Sequence, residues 1–190
     1  MRASLLFAVL VHIVLGCCEA AAGAPSSHLV TFDVKGRGTI CVNAPGAPKL
    51  ATPCPKRYGP AQQDRPLARA MRGADETTVV LHYQDDGKSY LVFLVSVPSN
   101  PAQRASHCGA GYEDSLVSAR IHGGTLHLTD RLLFQSCLAS LTLDRGRPDN
   151  VVKALMVDSE CRQISFRREF AAQDTVIRLR SGTFEEAPTP

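Results

Sequence analysis

The chain has 190 residues, 44% of them hydrophobic and 21% charged, with a formal net charge of +3. That is ordinary globular composition and a length suited to one domain; it argues against disordered or fibrous classes. The charge is too small to argue for nucleic acid.

The first residues read as a leader. Met1-Arg2 is a minimal positive start, residues 3–16 form an apolar run, and small residues follow at 20–24. This is the pattern of an export signal, short for a membrane span of about 20 residues. Two cleavage readings compete. Ala20-Ala21-Ala22 offers an A-x-A site that would release a chain starting at Gly23. Val14-Leu15-Gly16-Cys17 resembles a lipobox, which would make Cys17 the lipidated N-terminus. The expected organisation is an export signal over 1–22, one β-rich domain over 23–184, and a flexible tail over 185–190.

Hydrophobic alternation predicts strands in chain order at 28–34, 38–42, 77–83, 89–97, 115–121, 125–137, 151–158, 162–169 and 174–180. Residues 138–144 either continue the long strand or bend from it. Asp86-Gly87 supplies cheap positive φ and predicts a hairpin between 77–83 and 89–97. His122-Gly123-Gly124 predicts a second hairpin, and Ser159-Glu160-Cys161 a third. Residues 43–72 read as a proline-rich, basic loop, with six prolines between 43 and 66. Only 61–72 reads as helix, confined to a short piece by Pro66. The expected fold is mainly β: an antiparallel sandwich or barrel-like domain of roughly eight to ten strands.

Outside the leader stand five cysteines: Cys41, Cys54, Cys108, Cys137 and Cys161. With Gly123-Gly124 as the turn of the second hairpin, opposed residues sum to 247. Ile121 then faces Leu126, Val117 faces Asp130, and Cys137 faces Ala110. Cys108 lies two residues beyond, an offset that a bulge at Gly109 or Gly111 absorbs. A Cys108–Cys137 disulfide is therefore expected. Cys41 and Cys54 bracket the proline-rich loop and suggest a local disulfide. Cys161 is left as a free thiol or as a partner for Cys18.

The stretch SHCGAGYEDS (106–115) also admits a sharper reading. A nucleophilic Cys108 would need a base and an orienting group. His107 is adjacent, but neighbouring strand residues point to opposite faces. His82, His122 and His127 are the other candidate bases. Glu113 and Asp114 complete a candidate functional turn; two carboxylates serve acid–base chemistry or cation binding only if a loop brings them together.

The blocks C-G-A-G-x-E-D (108–114) and L-L-F-Q-S-C-L-x-S (132–140) resemble those of a group of exported bacterial proteins with no established activity. The likeness spans roughly 77–168. It implies an export signal and a β-rich body, treats the two cysteine blocks as one unit, and supplies no catalytic residues.

Residues 35–72 hold the strongest charge asymmetry. Lys35, Arg37, Lys49, Lys56, Arg57, Arg65, Arg69 and Arg72 are opposed only by Asp64. Such a patch suits an anionic partner. The chain lacks tryptophan and has four tyrosines, which disfavours a stacking platform for sugars or single strands. It contains no G-x-S-x-G, S-x-x-K, H-E-x-x-H, P-loop or G-x-G-x-x-G motif. No cofactor and no metal site is expected, and no nucleic-acid partner. The leading expectation is an exported, periplasmic or envelope-associated binding or inhibitor-type protein. The candidate anionic-partner residues are Lys49, Lys56, Arg57, Arg65, Arg69 and Arg72. The alternatives are a hydrolase or thiol enzyme using Cys108 or Cys161 with a histidine, and a structural lipoprotein anchored in the outer membrane through Cys17.

Overall fold

The computed structural model describes residues 40–41, 57–59, 62–100, 102, 108, 111–144 and 146–188. The leader, the 28–34 segment and most of the proline-rich loop lie outside these. The architecture is mainly β, with two four-stranded antiparallel sheets and no closed barrel. Sheet I has the order β3 (Glu76–Asp85), β4 (Lys88–Pro98), β5 (Tyr112–His122), β6 (Thr125–Ser136). Sheet II has the order β10 (Thr183–Glu186), β9 (Thr175–Arg180), β8 (Gln163–Phe166), β7 (Met156–Asp158). A two-residue pair, β1 (Ile40–Cys41) with β2 (Arg57–Tyr58), and one helix, α1 (Arg65–Ala70), complete the described elements.

Turn chemistry places the hairpins. Asp86 and Gly87 adopt φ of 48° and 71°, and Asp85 pairs with Lys88. Gly123 and Gly124 adopt φ of 56° and 78°, and His122 pairs with Thr125. Both are two-residue turns of the kind that suits right-twisted strands.

Sheet I is buried on both faces. One side meets sheet II through Tyr83, Val92, Leu116 and Phe134 on the first sheet and Ile164, Phe166, Ile177 and Leu179 on the second. The other side packs Leu91, Phe93, Val117 and Leu126 against Tyr58, Leu67 and Met71. Hence Tyr90 to Ser96 of β4 are buried without interruption, the continuous apolar pattern of a strand covered twice.

Bulges decide which face each side chain serves. Val80 is the extra residue between Val79, opposite Phe93, and Leu81, opposite Val92. Val79 therefore joins the outer cluster while Leu81 and Tyr83 join the inter-sheet core. On β6 the extra residue Thr129 does the same, sending Leu126 and Leu128 outward and Leu132 and Phe134 inward. The register predicted for this hairpin holds only to Leu128. Beyond it Val117 faces Arg131 rather than Asp130.

Sheet II locks onto sheet I through its β9–β10 turn. The Gly182 amide donates to the Tyr83 hydroxyl at 3.2 Å, and the Thr129 hydroxyl donates to the Gly182 carbonyl at 2.9 Å. Burial pushes the Tyr83 hydroxyl up to about 12, although the Gly182 bond opposes the shift. Asp85 accepts from the Ser181 amide at 2.8 Å and from Arg162 Nη1 at 2.6 Å. These two bonds, the Ser181 amide first, hold the Asp85 carboxyl below its ordinary range.

Two expectations are corrected. Residues 151–154 form a 3-10 turn instead of a strand, capped by the Asn150 side chain accepting from the Val152 amide at 3.0 Å. Of the two courses open to residues 138–144, the chain takes the bend, pairing Leu141 with Ser136 and Leu143 with Arg168. Glu185 and Glu186, assigned to the loose tail, are paired in β10, and the Ala187 amide donates to the Val176 carbonyl. Among the described residues no helix is long and apolar enough to cross a membrane.

Candidate functional site

Cys108 and Cys137 form a disulfide with Cα atoms 5.6 Å apart, inside the usual span. The expected pairing holds, but its geometry differs. The bulges at Thr129 and Phe134 move Cys137 further from Cys108 along the ladder. A turn closes the gap: Cys108 takes φ of 62°, and the Gly111 amide donates to its carbonyl at 3.0 Å. Gly111 lies against the bridge, where an added Cβ would stand 2.8 Å from Cys137 Cβ. A sulfur held in a disulfide is not a thiolate, so Cys108 is no nucleophile in this state. His107 lies outside the described residues.

Glu113 and Asp114 part company. Asp114 has no exposed surface and accepts from Arg147, Nε to Oδ2 at 2.8 Å and Nη2 to Oδ1 at 3.3 Å. The same Nη2 lies 3.4 Å from Ser96 Oγ, and the guanidinium sits 4.1 Å from the centre of the Tyr112 ring. Glu113 instead accepts from the Ser99 hydroxyl and from the Leu138 amide at 3.3 Å. The two carboxylates do not form a joint acid–base pair; each fastens a different loop to the end of sheet I.

Arg147 is the residue that sequence reasoning missed. It sits in a segment that reads as a turn by composition, and nothing in its neighbours announces a buried partner 33 residues away. Beside it opens a cleft of about 390 Å³, lined among others by Tyr112, Gln135, Cys137, Leu141 and Thr142. Three consecutive residues at its edge, Phe134, Gln135 and Ser136, are all buried. Strict alternation does not give such a run; the bulge at Phe134 does.

The basic segment resolves into an arginine face. Lys49 and Lys56, and the side chain of Arg57, lie outside the described residues. Arg65, Arg69 and Arg72 are exposed, at spacings that stack them on one side of α1 and the turn after it. The opposite side buries Leu67 and Ala70, with Met71 buried just beyond the helix end. Asp64, the one acid in this stretch, is turned away. It caps α1 by accepting from the Leu67 amide at 2.8 Å, accepts from the Leu128 amide at 3.0 Å, and lies 3.5 Å from His127 Nδ1. Among the described residues the ion pairs are His127–Asp64, Arg147–Asp114, Arg162–Asp85 and Arg167–Asp174. None neutralises the three arginines.

The remaining candidates separate. Cys161 is disulfide-bonded, to a cysteine other than Cys108 and Cys137, which bond each other; the expected free thiol is corrected. It stands in the β7–β8 turn, where its amide and that of Glu160 bond to the Asp158 carboxylate. The proposed Cys41–Cys54 bridge and lipidation of Cys17 lie outside the described residues. His122 and His127 have ring centres 6.3 Å apart, and among the described residues no three His, Cys, Asp or Glu side chains converge on a metal-sized site.

Compared with known families, curated proteins and solved structures, the chain finds no match.

Proposed function

We propose that this chain is an exported, disulfide-stapled β-domain that acts by binding an anionic partner in the bacterial envelope, without catalysing a reaction. The observation that carries the reading is the arginine face. Arg65, Arg69 and Arg72 project from one side of α1 and the turn after it, and the one acid among residues 35–72, Asp64, is spent on the helix cap and on β6. Cations displayed without internal counter-charges raise the local potential and steer anionic partners. The apolar leader, the disulfides at Cys108–Cys137 and Cys161, and the likeness of the two cysteine blocks to exported bacterial proteins support export. The thiol-enzyme alternative loses support, since both cysteines it would use are oxidised in disulfides.

The reading is tested by charge reversal. Arg65→Glu, Arg69→Glu and Arg72→Glu are combined in the full chain, and binding to phosphatidylglycerol vesicles and to polyglutamate is measured. Binding by the parent to at least one probe, lost in the variant, is the expected result. Equal behaviour of parent and variant on both probes contradicts it. The lipoprotein alternative is read separately from the mass of the mature N-terminus, lipidated Cys17 against unmodified Gly23.

A further inference from the structure

The hairpin-turn end of sheet I carries an arginine with no counter-charge. Arg120 of β5 stands directly opposite His127 of β6 on one side and Tyr90 of β4 on the other. It is partly buried, and its Nε is enclosed without a hydrogen-bond partner. It belongs to none of the four ion pairs among the described residues. With Nε enclosed, the two terminal nitrogens are the ends of the guanidinium that reach solvent, and no described residue bonds them. A charge drawn partly out of water is ordinarily paired within the protein, and Arg120 is not.

Register places further donors beside it. Directly opposed residues share a face of the sheet, as do residues two apart along a strand. His127 and His122 therefore flank Arg120 on one face, and their ring centres are 6.3 Å apart. Lys88, two residues before Tyr90, extends the same face. The β9–β10 turn covers Tyr90 through Gly182, while His122 and Lys88 are exposed, so this corner of the face is open to solvent. His127 turns Nδ1 toward Asp64, 3.5 Å from Oδ2, which leaves Nε2 as the end available to a ligand. Two other acids of this face are occupied: Asp85 accepts from the Ser181 amide and Arg162, and Asp130 from the Phe184 and Arg131 amides. Arg120 and a protonated His127, directly opposed, repel each other. An anion held between them turns that repulsion into attraction.

The donors select the class of anion. A guanidinium offers parallel N–H groups that match two oxygens of one anion. A carboxylate is used up by that fork. A tetrahedral phosphate keeps further oxygens for the imidazoles approaching from the next strand and from the hairpin end. Tyr83 and Tyr90, the tyrosines of this row, are buried, which leaves no open ring for stacking a base or a sugar. Recognition therefore rests on the phosphate group itself.

We propose that Arg120, His127 and His122 bind a phosphate group, free or carried as a monoester, with Arg120 as its main anchor. The site is independent of the arginine face on α1. The test is titration of the full chain, disulfides intact, with inorganic phosphate, glycerol phosphate and acetate, just below neutral pH where imidazoles take up charge. Binding is read by calorimetry and by the NMR signals of the histidine rings. At least one phosphate probe should bind saturably and shift the His122 and His127 signals, with acetate weaker by about tenfold or more. Tighter binding of inorganic phosphate names the free ion as the source; tighter binding of glycerol phosphate names a phosphorylated molecule. Arg120→Met should weaken binding about tenfold or more. His122→Gln, at an exposed position that leaves the core packing untouched, should weaken it about two- to fivefold. The triple Arg65→Glu, Arg69→Glu, Arg72→Glu variant should still bind. The proposal is overturned by any of four results: neither phosphate probe shifts the histidine signals, acetate binds as tightly as phosphate, Arg120→Met and His122→Gln both bind like the parent, or the triple variant abolishes binding.

Discussion

The Arg147 Nε donates to Asp114 Oδ2 at 2.8 Å across 33 residues of chain, and the carboxylate it meets has no contact with solvent. The pair holds a buried charge in a sheet whose inter-sheet core is otherwise built from Leu, Ile, Val, Phe and Tyr. Removing one partner of such a pair leaves an uncompensated buried charge. Arg147→Met is expected to lower stability by about 3–5 kcal/mol. Asp114→Leu with Arg147→Met should recover most of that loss. Urea midpoints of the two variants against the parent decide it; equal destabilisation by both would show that packing, not charge, is at stake.

The Cys108–Cys137 bridge spans 29 residues of sequence. Closing a loop of that size restricts the unfolded chain by about 3–4 kcal/mol. Cys108→Ser with Cys137→Ser should lose an amount of that order in chemical unfolding. Alkylation of the denatured, unreduced protein should leave Cys108, Cys137 and Cys161 unlabelled. A labelled Cys108 would restore it as a candidate nucleophile.

Asp85 joins the two sheets through the Ser181 amide and Arg162, which hold its carboxyl below the ordinary range. Its contribution is present above the unfolded value of about 4 and is lost as pH falls through the lower folded value. Asp85→Asn should therefore flatten the acid side of the stability profile while leaving the neutral-to-alkaline slope intact. Thermal melts from pH 2 to 7 measure this; an unchanged acid limb would remove Asp85 from the account.

Gly182 adopts φ of 87°, and a Cβ there would stand 2.7 Å from a Tyr90 ring carbon and 2.8 Å from the Thr129 hydroxyl. Gly182→Ala should cost about 2–4 kcal/mol, combining left-handed strain with overpacking. Gly124, at φ of 78° with open space around it, is the control: its alanine should lose only the conformational part, about 1–2 kcal/mol. Similar losses at both sites would mean that the β9–β10 turn does not seat tightly on sheet I.

The hairpins were legible because their turns demand particular residues: Asp86-Gly87 and Gly123-Gly124 take positive φ at both positions. The helix was legible as a short piece within 61–72 confined by Pro66, which stands in its first turn. The face each strand residue serves was not. Val79 and Leu81 look like one alternating series, yet the bulge at Val80 sends them to opposite cores. Bulges depend on the partner strand, so one segment read alone does not reveal them. The same applies to Val151, whose β-branched run suggests a strand until Asn150 caps a 3-10 turn.

The candidate sites divide in the same way. The disulfide was foreseeable because both cysteines flank one hairpin, and the divergence of Glu113 and Asp114 follows from strand geometry. Arg65, Arg69 and Arg72 were visible as charge, but the inward turn of Asp64 that leaves them unpaired is a tertiary fact. Gln135 and Arg147 carried no local signal, since each is defined by what lies across the sheet or on a distant loop.

The most direct test of the central claim is the salt dependence of binding by the parent and by the triple Arg65→Glu, Arg69→Glu, Arg72→Glu variant. Phosphatidylglycerol vesicles and polyglutamate are the probes. The account predicts binding by the parent that fades between about 0.1 and 1 M salt, as screening shortens from roughly 10 to 3 Å, and none by the variant. Binding that is insensitive to salt, or retained by the variant, would contradict it.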